Sequence, residues 1–292
     1  MSVSWKGVIP AITTPFDPEL RVDHGFLAEH ARFLVHAGCT GLVPLGSLGE
    51  GATLDRAEKR AVVETLVRTV GDRVPIIPGI SSLSTAEAVS LAREVAAAGA
   101  SGLMVLPPYV YSTDWREMKA HVSAVIGATK LTCMLYNNPP AYKTDFLAPQ
   151  VAELAAEHRN LQALKESSGD ARRVTAVKAL CGDRIAVFAG LDDMVLEGVR
   201  AGAVGWIAGL VNAMPRETMM LFNQKSDSLY RWFLPLLRLD VVPKFVQLIK
   251  LVQQEVGRGN ERVRPPRLVL AGAGREEALE TIRAALRDRP KL

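Results

Sequence analysis

The sequence predicts an α/β chain folded as a (β/α)8 TIM barrel with a C-terminal helical extension, and three observations predict it. Short apolar or β-branched runs alternate with longer amphipathic segments from residue 7 to about residue 215. About eight such runs occur, the strand number of that barrel. They are apolar along their whole length, as strands covered on both faces are, so the sheet is expected to be parallel.

The runs are GVIPAITTPF (7–16), GLVPLG (41–46), VPIIPGI (74–80), GLMVLPP (102–108), LTCMLYN (131–137), LQALKES (161–167), RIAVFAG (184–190) and AVGWIAGL (203–210). Between the first two, DHGFLAEHARFLVHAG sets Phe26, Leu27, His30, Phe33 and Leu34 at helical spacing. TAEAVSLAREVAAAGA ends in a glycine suited to a helix C-cap. Roughly 25 to 35 residues per strand and helix close a barrel by about residue 215. Residues 1–215 are therefore assigned to a catalytic barrel and 216–292 to a helical appendage. That appendage holds DSLYRWFLPLLRLDVVPKFVQLIKLVQQEV, a Pro-Pro break and a last helix, EEALETIRAALRD. Its apolar face is expected to pack on the barrel or on a neighbouring subunit, not on a membrane. LFNQKSDSLYRWF joins two helices in few residues, as though a loop near 224–228 were truncated or incomplete.

Composition narrows the function. A chain of 292 residues with 48% hydrophobic and 23% charged residues is an ordinary globular protein, not a disordered one. Lys and Arg outnumber Asp and Glu by 35 to 31, without a basic block, so nucleic acid is not an expected partner. Cys39, Cys133 and Cys181 are odd in number and far apart, which fits free thiols and a cytoplasmic location. No targeting segment and no membrane-length apolar window is visible.

Chemistry in a parallel barrel belongs at the C-terminal ends of its strands, where the loops converge. Lys165 ends the sixth run. In an apolar, water-poor mouth its amine is either a nucleophile with a lowered pKa or the partner of Glu166 or a C-terminal carboxylate. Tyr136 ends the neighbouring run, where it is either a proton relay or half-buried core. The GSLGE turn, 46–50, offers glycines and a hydroxyl that can aim backbone N–H groups at an anion. It is neither a Walker loop nor a dinucleotide fingerprint. The histidines, His24, His30, His36, His121 and His158, form no constellation, so no metal is expected.

At these residues the chain resembles the dihydrodipicolinate synthase and N-acetylneuraminate lyase family. GSLGE matches the GxxGE turn, YNNP the strand-five tyrosine, and KESSGD the lysine. The resemblance implies a barrel that binds 2-oxo acids as lysine Schiff bases, without a cofactor. It implies Lys165 as the imine-forming lysine, Tyr136 as proton relay, and Ser47 with the Leu48 backbone as the substrate-carboxylate site. Gly190, Ile207 and Tyr109 would line the pocket. The family habit also implies a homotetramer, a dimer of dimers.

Departures from the family pattern bear on the substrate. A lysine-biosynthetic synthase carries GTTGE, a tyrosine after strand four and an arginine after YNxP; here the positions read Leu48, Val110 and Ala141. Without that arginine a charge-assisted clamp on the aldehyde substrate's carboxylate is gone. YNNPPAYKTD, KESSGDARR, FAGLDD and WFLPLLRLD are similar to members acting in hydroxyproline degradation, which deaminate 1-pyrroline-4-hydroxy-2-carboxylate to 2,5-dioxopentanoate. Pyruvate-dependent aldol cleavage and 2-keto-3-deoxy sugar acid chemistry stay open, because every such reaction passes through carbon 3 of the imine. Tyr142 and Lys143 read either as binders of the distal substrate or as loop surface. Tyr111 stands where it could replace an aromatic that crosses a subunit interface. A ligand sensor needs no nucleophile, and a metal-dependent aldolase needs a histidine cluster, so both fit less well.

Overall fold

The computed structural model describes residues 3–108 and 114–290. Seven parallel strands form one sheet: β1 (Gly7–Pro10), β2 (Gly79–Ile80), β3 (Gly102–Val105), β4 (Thr132–Asn137), β5 (Leu161–Glu166), β6 (Ala186–Ala189) and β7 (Gly205–Ala208). Their order is β1-β7-β6-β5-β4-β3-β2. The run at 41–46 joins the two ends without becoming a regular strand. Its Val43 bridges Ala11 and its Leu42 bridges Ile76, both in parallel. Val43 N donates to Pro10 O at 2.8 Å, and Gly79 N donates to Pro44 O at 2.8 Å. Prolines explain the thin ladder: Pro44, Pro75 and Pro78 have no N–H, so they enter it only through their carbonyls.

The expected (β/α)8 ring is thus present, with shorter strands than the apolar runs suggested. Each strand position is followed by a helix, at His24–His36, Arg56–Val70, Thr85–Ala97, Trp115–Ile126, Ala148–Glu157, Arg172–Cys181, Val195–Arg200 and Pro215–Gln224. Local chemistry starts several of them. The Asp23 carboxylate accepts from Phe26 N at 2.9 Å, Ser84 caps Glu87 N, and Asp55 with Glu58 makes a capping box. Gly99 ends the Thr85–Ala97 helix at φ +94°, the left-handed conformation a C-cap glycine adopts.

β4 pairs with β5 over five positions, with an irregularity between Cys133 and Met134, and beyond it Tyr136 faces Lys165 and Asn137 faces Glu166. On its other side Lys165 pairs with Phe188 of β6. Leu135, Leu164, Val187 and Trp206 are all fully buried, so the residues around the strand ends sit in apolar surroundings.

Three more helices follow, Asp227–Leu237, Phe245–Glu255 and Gly272–Arg287. The short connection near 224–228 needs no missing loop. Lys225 takes a left-handed conformation, φ 54°, with its N–H on Leu221 O, and Ser226 at once caps the next helix through Leu229 N. Among the described residues no helix is long and apolar enough to cross a membrane.

These helices are bonded into the barrel. Lys250 Nζ lies 2.6 Å from Glu50 Oε1, with side chains 2% and 0% exposed. Arg264 N donates to the other Glu50 oxygen at 3.0 Å, and the Arg264 guanidinium grips Glu58 with both terminal nitrogens. Breaking a buried pair from one side leaves an uncompensated charge, at a cost of about 3–5 kcal/mol. Lys250→Ala is therefore expected to lower the urea midpoint markedly, and Glu50→Gln with Lys250→Met to recover most of the loss. Equal stability of wild type and Lys250→Ala, followed by circular dichroism, would contradict this account.

Candidate active site

Lys165 is the penultimate residue of β5 and is 7% exposed. Its Nζ lies 4.1 Å from the centroid of the Tyr136 ring, which the β4–β5 register brings alongside. Glu166 is turned elsewhere: it accepts from Asn137 Nδ2 at 3.0 Å and from Ser168 N at 2.6 Å. Pairing with Glu166, one of the two sequence readings of this lysine, is thus not what the structure shows. Burial holds the Lys165 ammonium below its ordinary value, against the pull of Asp240, Tyr142 and Asp192. A neutral amine is thereby available at lower pH than on a free lysine.

The Tyr136 phenol accepts a hydrogen bond from Asn138 Nδ2 at 2.8 Å. Burial pushes it up to about 12, with Asn138 opposing. Tyr142 packs edge-on against Tyr136, ring centroids 5.6 Å apart, and its hydroxyl is hydrogen-bonded to Ser47 Oγ. Tyr136, Tyr142 and Ser47 therefore form one connected wall from β4 to the GSLGE turn. Reading Tyr142 as loop surface is corrected here: the helical turn Pro139–Tyr142, started by Asn138 Oδ1 on Ala141 N, swings it inward. Lys143 is exposed and donates to Pro140 O, so it is not drawn into this wall.

The turn itself is tightly constrained. Leu45 and Glu50 have positive φ, 63° and 52°. A Cβ on Gly51 would sit 2.1 Å from Leu45 O, and one on Gly49 2.9 Å from Ile12 O, so glycine is required at both. Leu48 is buried, and Ser47 is half-buried.

Gly190 follows β6 and touches the lysine stem: a Cβ there would lie 2.8 Å from Lys165 Cγ and 2.1 Å from Ser167 Oγ. Ile207 is buried on β7 and pairs with Ile9. Tyr109, with Val110 and Tyr111, lies outside the described residues. Among the described residues no group of His, Cys, Asp or Glu side chains is arranged to hold a metal ion.

Residues 4–285 match the model of the Dihydrodipicolinate synthetase family. The chain belongs to that family. It is 33% identical over 287 residues to the 4-hydroxy-tetrahydrodipicolinate synthase of Geotalea daltonii, covering 96% of this chain and 98% of the relative. To the synthase of that name from Natronomonas pharaonis it is 38% identical over 219 residues, 75% of this chain and 74% of the relative. A putative dihydrodipicolinate synthetase from Pseudomonas aeruginosa, 30% identical, superposes with a TM-score of 0.90 over 97% of this chain and 100% of that one. The protein is accordingly a Schiff-base lyase of the dihydrodipicolinate synthetase family.

Two carboxyl groups at this family member's barrel mouth went unassigned by sequence reasoning. Asp192, just beyond β6, accepts from Trp206 Nε1 at 2.8 Å, Gly209 N at 3.1 Å and Leu210 N at 2.8 Å. Burial nevertheless raises it to about 6. Asp240 comes from the helical tail, in the turn Arg238–Asp240. Its residue is half-buried, but its Oδ1 is sealed from solvent with no hydrogen-bond partner among the described residues. Gly209 makes room for it, since a Cβ there would fall 2.0 Å from Asp240 Oδ1. Burial and the neighbouring Asp192 drive Asp240 well above the usual carboxylate range, while Lys165 draws it down. The signal in the sequence is a carboxylate closing the apolar string WFLPLLRLD, one of those that carry the family resemblance, and periodicity cannot say that it reaches the barrel mouth.

Lys165→Ala is expected to abolish both turnover and borohydride trapping of pyruvate. In the wild type, trapping should rise with pH and level off below 10.5, because the lowered pKa frees the amine early. Tyr136→Phe should slow imine formation roughly 10² to 10⁴-fold, the usual worth of a positioned proton donor. Normal rates in that variant would assign the phenol to packing.

Proposed function

We propose that this lyase deaminates 1-pyrroline-4-hydroxy-2-carboxylate to 2,5-dioxopentanoate. The observation that carries the reading is the charge at the mouth. Ala141 stands where a synthase of the family has its carboxylate-binding arginine, and the groups acting on Lys165 are Asp240, Tyr142 and Asp192, two of them carboxyls. A second substrate carboxylate would meet two further acids in a desolvated site where the family's arginine is replaced by Ala141, whereas a hydroxyl or an amine finds hydrogen-bond partners there.

Lys165 attacks C2 of the cyclic imine and the ring nitrogen leaves C2 as an amine still attached to C5. Loss of a C3 proton gives an enamine, which expels the C4 hydroxyl as water. The double bond moves into conjugation with the amine, one water then releases ammonia and the C5 aldehyde, and a second hydrolyses the imine at C2, freeing the product and the Lys165 amine. Summed over the sequence, one water is consumed and one ammonia formed. Ser47 and the adjoining backbone would hold the substrate carboxylate, with Tyr136 relaying protons during imine formation.

A second reading is favoured by the relatives that carry the name 4-hydroxy-tetrahydrodipicolinate synthase. One experiment separates the two. Lysine-dependent release of ammonia and 2,5-dioxopentanoate from the cyclic imine, absent in Lys165→Ala, is the expected result. Formation of 4-hydroxy-tetrahydrodipicolinate, with no ammonia from the cyclic imine, would replace the first reading by the second.

A further inference from the structure

The ring order divides the barrel mouth around Lys165. β4, β3 and β2 lie to one side of β5, and β6 and β7 to the other. The GSLGE turn follows the run that closes the ring between β1 and β2, so it stands across the mouth from β5, and the Tyr136–Tyr142–Ser47 chain links it to the β4 side of Lys165. Tyr136 and Tyr142 fill the β4 side, so a molecule joined to Lys165 at C2, with its carboxylate toward Ser47, has the β6–β7 side left for C3 and C4. Asp240 sits there, over Gly209 at the end of β7.

Of the two carboxyl groups acting on the lysine, Asp240 is the one with an unengaged oxygen among the described residues; Ser167 Oγ also lacks a partner there, but a serine hydroxyl is far too weak a base to take a proton from C3. Asp192 accepts from three N–H groups, which hold its oxygens in place. The Tyr136 phenol is bonded by Asn138. Asp240 Oδ1 has no partner among the described residues, although it is shut off from water. An orphaned buried oxygen costs stability unless it serves something that arrives later. Room for it is built in, since any side chain at position 209 would collide with that carboxyl.

We propose that Asp240 is a catalytic acid–base residue that moves the proton between C3 of the lysine-bound substrate and its C4 hydroxyl; this rests on the Schiff-base reading above. Once the imine forms, its positive charge favours the carboxylate form of Asp240. The carboxylate takes a C3 proton, and the C–H electron pair becomes the C2=C3 bond as the imine nitrogen turns neutral. Asp240 then delivers the same proton to the C4 hydroxyl. The enamine electrons re-form the C=N bond, C3=C4 forms, the C4–O bond breaks, and water departs. Asp240 returns to its carboxylate, and no oxidant or reductant is consumed. The helical tail thus completes the chemistry of the barrel.

The test needs no knowledge of the natural substrate. Pyruvate bound as an imine exchanges its methyl protons with D2O only through C3 deprotonation, which NMR follows, while borohydride trapping reports imine formation alone. In Asp240→Asn, exchange is expected to fall at least roughly 10²-fold with trapping retained. Trapping retained with exchange at the wild-type rate would overturn the assignment, as would loss of trapping in a folded variant, which would move Asp240 to the imine-forming step. Should Asp240→Asn fail to fold, Asp240→Ala with added formate serves instead: restored exchange supports the role, and trapping without restored exchange refutes it. Wild-type protein left unmodified by pyruvate and borohydride would overturn the Schiff-base reading and this role together. Failure of ammonia release alone would leave the assignment standing, because C3 exchange is read on pyruvate.

Discussion

Glu50 and Lys250 meet at 2.6 Å out of contact with water, and the geometry of the barrel mouth hangs on that meeting. A buried carboxylate needs every lone pair met, and Glu50 obtains this from Lys250 on one oxygen and Arg264 N on the other. Glu50 is also the residue that ends the GSLGE turn in a left-handed conformation. The helical tail thus fixes the turn that carries Ser47, some 200 residues earlier in the chain. Through Ser47 and Tyr142 the same restraint reaches Tyr136 and, beneath it, Lys165.

The rim that this arrangement encloses biases each of its ionisable groups toward the uncharged form. Burial pulls Lys165 down, lifts Asp192 to about 6, drives Asp240 higher still and raises Tyr136 to about 12. One physical cause acts on acids and bases alike, and the charges of the others only moderate it. Such a set is poised to exchange protons when a cationic imine forms in its midst, because that charge favours every carboxylate around it. Groups of opposite sign that simply neutralised each other at short range would lack this responsiveness.

Tail and barrel are accordingly a single functional unit. The tail contributes Lys250 and Arg264 to the GSLGE turn and Asp240 to the space above Gly209, so on the proposed reading both ends of a bound substrate would meet side chains that it positions or supplies. Gly209 and Gly190 are the complementary features of the barrel: each lacks a side chain where a neighbouring group, the Asp240 carboxyl or the Lys165 stem, takes up the space.

The sequence by itself determined the ring. Eight apolar runs separated by capped amphipathic segments leave few other ways to cover both faces of a parallel sheet, and they placed Lys165 and Tyr136 at adjacent strand ends. Local rules also marked the GSLGE turn, since glycine at crowded positions is a near-neighbour constraint. Strand length was overread in most runs, β1 ending at Pro10 within the run 7–16, and most of all where prolines thin the ladder at 41–46 and 74–80, because apolar character does not reveal which residues have an N–H to donate. Tertiary structure alone decided that Glu166 turns to Asn137 instead of Lys165, that Tyr142 faces inward, and that Asp240 reaches the mouth. Each depends on contacts between segments far apart in the chain, and no periodicity encodes which distant group will share a buried volume with which other.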